Sequence, residues 1–138
     1  MQYKIKKISG DASFREFYKI EKNSKSTILV KANKEKYRNL IVYAAVNELL
    51  ITNNIKAPKL VQEYFDQNMM EIENLGSLSF FDYIKNKKSK FNDYKKLVEL
   101  IIKLQKIDLK QNIKFRKNKI KIKKFNLLEL HKESDLFF

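Results

Sequence analysis

Three observations in this sequence predict an α+β fold. Short β-branched runs separated by polar turns occupy residues 2–32, a stretch of helical period without Gly or Pro covers about residues 35–53, and two more strand-like runs precede Gly76. The order β-β-β-α-β-β implies a five-stranded antiparallel sheet carrying one helix. After Gly76 the period is helical, so the expected division is a first lobe over residues 1–75 and a helical continuation over 76–138.

Each element has a local reason. Residues 2–8 alternate, with Tyr3, Ile5 and Lys7 on one side, and Ser9-Gly10-Asp11-Ala12-Ser13 is a turn of small polar residues. A second strand from Phe14 to Ile20 sets Phe14, Glu16, Tyr18 and Ile20 against Arg15, Phe17 and Lys19 on the other face. Thr27-Ile28-Leu29-Val30-Lys31-Ala32 is the strongest strand signal in the chain. In the helix, Leu40, Ala44, Asn47, Glu48 and Ile51 recur at helical spacing, Asn53-Asn54 suits its end, and Pro58 blocks continuation. Residues 60–65 and 69–73 then form a hairpin around Asp66-Gln67-Asn68. Ser79-Phe80-Phe81-Asp82 fits a capping box opening a short helix. Asp93 is placed to cap the next helix, whose apolar stripe is Leu97, Ile101, Leu104 and Ile107. Residues 110–124, with eight basic side chains and no acid, predict an exposed connection, and 125–138 is again helix-like.

Composition narrows the chemistry. There is no cysteine and His131 is the only histidine, which excludes disulfides, thiolate metal sites and a His-based cluster or triad. No apolar run reaches the roughly 18–20 residues that span a bilayer, and the N-terminus has no apolar core of a secretory signal, so a cytoplasmic location is expected. The net charge of +14 would suit a nucleic-acid partner. Its 27 lysines against 3 arginines, with abundant Asn and Ile, have instead the look of an AT-rich coding sequence, and a solvated lysine-rich surface accounts for most of the excess. The charge is also uneven: residues 1–83 carry 13 basic and 10 acidic side chains, residues 84–138 carry 17 and 6.

A small-residue turn between two strands, a strand lysine and a helix carboxylate together suggest polyphosphate binding. Gly10, Ala12 and Ser13 would admit close backbone approach, Lys31, expected to point inward among apolar strand residues, would supply a cation, and Glu48 would fix that ammonium by pairing with it. Here the residues resemble a family. Gly10-Asp11-Ala12-Ser13-Phe14-Arg15-Glu16-Phe17-Tyr18 is similar to the nucleotide-loop segment of aminoglycoside phosphotransferase-like kinases, closest to bacterial kinases of the amino sugars N-acetylmuramate and N-acetylglucosamine. Ile28-Leu29-Val30-Lys31 resembles the kinase Val-Ala-Ile-Lys strand, and Ile72-Glu73-Asn74-Leu75-Gly76 resembles the hinge Glu-Asp-Leu-Gly. The segments 125–130 and 135–138 resemble the helical stretch ahead of the family's catalytic loop.

The resemblance implies a protein-kinase-like N-lobe, then a hinge and a partial helical C-lobe. It implies ATP as cofactor, with Gly10, Asp11, Ala12 and Ser13 over the phosphates, Lys31 held by Glu48, and Glu73 and Leu75 meeting adenine through their backbone. It also implies an amino-sugar hydroxyl as acceptor. The His-x-Asp loop and the downstream Asn and Asp that hold Mg²⁺ in the family have no counterpart, since Lys132-Glu133 follows the lone histidine. The expectation is therefore a fragment, truncated product or split chain with no catalytic or metal residues of its own. Two alternatives remain: a basic nucleic-acid-binding module, and a non-catalytic interaction lobe completed by a separate C-lobe chain.

Overall fold

The computed structural model describes residues 4–8, 14–23, 25–33, 38–108 and 112–121. Strands β1 (Lys4–Ile8), β2 (Arg15–Lys22) and β3 (Lys25–Ala32) pair antiparallel in sequence order. After helix α1 (Arg38–Thr52), strands β4 (Leu60–Tyr64) and β5 (Met69–Glu73) form a hairpin, and β5 pairs with β3. The sheet order is β1-β2-β3-β5-β4, with β1 and β4 at the edges. This is the expected α+β arrangement of five antiparallel strands and one helix.

Register decides which side chains the helix covers. Val30 lies opposite Phe17 and Met70, so these three project to one face, while Lys31 lies opposite Glu16 and Met69 on the other. Val30 and Met70 are wholly buried, and Ala32 and Ile72 nearly so. Helix α1 packs against β3 and β4 and contributes Leu40, Ala44 and Ala45 to this core. That the Arg15 guanidinium reaches the Tyr43 ring of α1, 5.3 Å away, confirms that Arg15, Phe17, Val30 and Met70 share the helix-covered face. The buried Asn47 amide donates to the Pro58 carbonyl at 2.9 Å, which ties α1 to the segment leading into β4.

The turns use asparagine where the backbone needs positive φ. Asn23 after β2 has φ 47°, Asn54 after α1 has φ 57°, and Asn68 between β4 and β5 has φ 58°. Ile55 donates its N–H to the Leu50 carbonyl at 2.9 Å, closing the end of α1. The hairpin turn is a short 3₁₀ segment, Phe65–Gln67, so Phe65 leaves the strand one residue earlier than the alternation suggests.

Helices α2 (Phe80–Ile84) and α3 (Phe91–Gln105) follow. The capping box is present: the Ser79 hydroxyl accepts from the Asp82 N–H at 3.0 Å and donates to the Asp82 carboxylate at 2.7 Å. Asp93 is not a cap. Helix α3 begins at Phe91, and Asp93, in its first turn, pairs at 2.8 Å with Lys87, whose ammonium lies 3.7 Å from the Tyr83 ring centre. The expected stripe of α3 is largely uncovered, with Ile101 52% exposed and Leu104 39%.

The chain divides into two compact units, Met1–Ile107 and Asp108–Phe138, and the junction at residues 75–76 lies inside the first. In the second unit, residues 112–121 correct the expected connection: they form a hairpin of β6 (Asn112–Phe115) and β7 (Asn118–Lys121). Arg116 takes φ 53° in the turn, a role for which Gly or Asn is the usual signal. The helix-like stretch 125–138 lies outside the described residues.

Two stability predictions follow from this packing. Met70→Ala should cost about 2–5 kcal/mol in chemical denaturation, whereas Leu78→Ser, at a site 73% exposed, should stay within about 0.5 kcal/mol. The hydrogen bond from Lys87 is the main cause holding the Asp93 carboxyl below its ordinary value of 3.8. Its stabilising contribution is therefore complete above the ordinary carboxylate range and is lost as pH falls through the lowered value. Denaturation midpoints should show the wild type ahead of Asp93→Asn at neutral pH, and the gap should close on acidification below 3.8.

Candidate functional site

The sheet face that α1 covers at Val30 and Met70 continues towards residues 73–77 as a cleft of about 800 Å³. Ile8 of β1, Phe17 of β2, Ile28 of β3 and Ile72 of β5 line it with apolar surface, each projecting by the alternation that buries Val30. Pro58, Lys7 and residues 73–77 complete the lining, and Lys6 and Lys19, directly opposite each other on β1 and β2, add positive charge. Lys19 is paired with Glu21 at 2.6 Å. The volume falls within the range of about 300–1,000 Å³ usual for small-molecule sites, and the mix of apolar lining with few polar groups is of the same kind.

The wall at residues 73–77 is braced by one side chain. Asn74 donates from Nδ2 to the Ser26 hydroxyl at 2.8 Å and accepts from the Gly76 N–H at 2.9 Å through Oδ1. Gly76 has φ 98°, and open space surrounds the position of an added Cβ, so glycine is needed there for its backbone conformation alone. Glu73 is held to the β4 side, donating its N–H to the Lys59 carbonyl at 2.8 Å and accepting from the Lys59 N–H at 3.3 Å through its carboxylate. Between these anchors, Leu75 is 45% exposed, and its backbone N–H and C=O make no hydrogen bond among the described residues. The Leu75 backbone therefore offers a donor and an acceptor at this wall of the cleft.

The opposite face of the sheet has different chemistry. Lys7 pairs with Glu16 at 2.6 Å, Tyr18 donates to Glu16 at 3.1 Å, and Thr27 hydrogen-bonds Glu71. The Lys7 hydrogen bond, then that of Tyr18, then the Lys7 charge hold the Glu16 carboxyl below its ordinary value, and the Lys31 charge adds to this.

Of the residues expected to form a site, Glu73 and Leu75 line the cleft. Lys31 is exposed on the opposite face, because an inward Val30 forces its neighbour outward; the inward lysine expected from the apolar strand is not found. Glu48 is exposed on α1, and no ion pair joins it to Lys31. Gly10, Asp11, Ala12 and Ser13 lie outside the described residues. The Asn74 brace went unrecognised, although an Asn two residues ahead of a Gly is a signal for such a side-chain turn. No protein-family model, no curated protein and no solved structure matches the chain.

Replacing Asn74 should loosen this wall in a graded way. Asn74→Ala removes both bonds and should cost about 1–3 kcal/mol, whereas Asn74→Asp keeps the acceptor for Gly76. Amide hydrogen exchange at Gly76 should accelerate in the alanine variant and remain slow in the aspartate variant.

Proposed function

We propose that the cleft binds an adenine nucleotide and that the chain is the nucleotide-binding lobe of a phosphotransferase like the aminoglycoside phosphotransferase-like kinases its sequence resembles. The observation that carries this reading is the Leu75 backbone: an N–H and a C=O without hydrogen-bond partners among the described residues, beside an apolar cleft floored by Ile28 and Ile72. A purine presents adjacent acceptor and donor positions on one edge and two apolar faces, and this wall complements both. Ile8 and Phe17 would exclude water from the ring, while Asn74 and Gly76 would keep the Leu75 groups directed at its edge. In the kinase-like N-lobe this reading implies, residues 73–76 take the part of the hinge.

In this reading, transfer itself would draw on groups beyond this lobe, as the sequence resemblance implies. The acceptor, a hydroxyl of an amino sugar, rests on the sequence resemblance.

Nuclear magnetic resonance titration of the full chain with adenosine tests the reading. The Leu75 amide and the methyl groups of Ile28 and Ile72 should shift in a saturable manner. A cleft that stays unmoved, with polyanions instead perturbing residues 112–121, would replace this reading with nucleic-acid binding through the basic hairpin.

A further inference from the structure

We infer that Lys6 receives the phosphates of a nucleotide bound in the cleft, so that the ligand lies across the strands from β5 to β1 and the site prefers adenine nucleotides to adenosine. This rests on the nucleotide reading above and deepens it by naming the residue that reads the ligand's charge.

On its β3 and β5 side the cleft is closed. Ile28 and Ile72 form the row nearest residues 73–77, with Lys19 opposite Ile28 and Lys6 opposite Lys19. In the next row Val30 and Met70 are wholly buried, so a ligand resting on Ile28 and Ile72 cannot extend along these two strands. On β2 and β1, by contrast, both rows remain cleft lining: Phe17 and Lys19, then Ile8 and Lys6. A base beside Leu75 therefore continues across the strands. Three strand spacings of about 4.8 Å, or about 14 Å in all, lead from Ile72 to Lys6. Glu73 stands at the β5 end, where its carboxylate would repel a phosphate. The resemblance puts residues 10–13 over the phosphates, and these follow β1 in sequence, so it too assigns the phosphates to the β1–β2 side.

Charge points to the same residue. Lys6 is exposed, lines the cleft and makes no hydrogen bond or ion pair among the described residues. Lys19 pairs with Glu21 at 2.6 Å, and Lys7, which also lines the cleft, pairs with Glu16 at 2.6 Å. Both add to the positive field at this rim, and Lys6 is left to meet an anion directly. Lys6 and Lys19 are directly opposite each other, an arrangement of like charges that costs stability. Lys4 adds a third ammonium, and Glu21, opposite it, is the one carboxylate on this face of β1 and β2. The Lys19 hydrogen bond, then the Lys19 charge, hold the Glu21 carboxyl below its ordinary value, and the charges of Lys4 and Lys6 add to this. One anion thus answers to three cations, and a phosphate at Lys6 relieves the imbalance. An ammonium on a flexible stem meets phosphate as a point charge, so no fixed geometry is required of it.

The test compares adenosine with a non-hydrolysable ATP analogue on the full chain, by calorimetry or resonance titration. The wild type should bind the analogue more tightly, and added salt should narrow the difference by screening the ammonium. Lys6→Gln should weaken the analogue about 3- to 10-fold, the range for a charged hydrogen bond at an exposed site, and leave adenosine unchanged. Lys6→Arg, which keeps the charge, should retain most of the analogue's affinity. Because Lys6→Gln also removes the like-charge pair, its denaturation midpoint should equal or exceed that of the wild type, which separates a ligand contact from a structural one. Lys31→Ala, on the opposite face, should change neither affinity. The salt titration gives a readout on the wild type should the glutamine variant fail to fold. If adenosine binds, this inference falls and the nucleotide reading stands on any of three results: a preference indifferent to salt, an analogue unaffected by Lys6→Gln, or equal losses for both ligands. If the wild type binds neither ligand, both fall.

Discussion

Burial of Val30 and Met70 beneath α1 is the constraint on which the other features depend. Both side chains are fully hidden, and they sit opposite each other on the two central strands. Because side chains alternate with a period of two, fixing this one pair assigns every residue of β2, β3 and β5 to a face. A slip of one residue would place Lys31, Glu16 and Glu71 under the helix and expose Val30, Phe17 and Met70. Burying these three charged groups in the layer beneath α1 is costly enough to exclude that register.

The cleft follows from the same pair. An apolar face runs the length of β3, while α1 covers it only in part, so Ile28 and Ile72 continue the core surface beyond the helix. Residues 73–77 border this surface, held by Asn74 through Ser26 on one side and Gly76 on the other. Sequence-distant residues, 26 and 74, are joined because β3 and β5 pair up to Thr27 and Glu73.

Local signals in the sequence were sufficient for the parts that local chemistry determines. The strands, the Asn-led turns, the end of α1 and the Ser79–Asp82 box all depend on residues within a few positions of one another. The side of β3 on which Lys31 lies does not. A run such as Thr27-Ile28-Leu29-Val30-Lys31-Ala32 has apolar residues on both faces, so its own pattern leaves the parity open until α1 packs. The placement of Glu48 was open for a related reason: its spacing from Ala44 is helical, and the buried stripe runs through Leu40, Ala44 and Asn47 and leaves Glu48 exposed. The β6–β7 hairpin was hidden by its turn, where Arg116 occupies a conformation that the sequence gives no reason to expect.

Seen from the two faces, the charge distribution has a simple logic. The solvent-side face neutralises its cations internally, with Lys7 on Glu16, and Lys31 contributing to the same carboxylate's field. On the helix-side face the strand positions that project beside α1 are Phe17, Val30, Ala32 and Met70, all apolar, with Arg15 the cation among them. A guanidinium tolerates such a place better than an ammonium would, since it is less strongly hydrated and can stack its flat surface on rings, here Phe14 and Tyr43. Beside α1 the sheet thus carries an aromatic-supported arginine, while Lys6 and Lys19 on the same face lie beyond the helix, at the cleft.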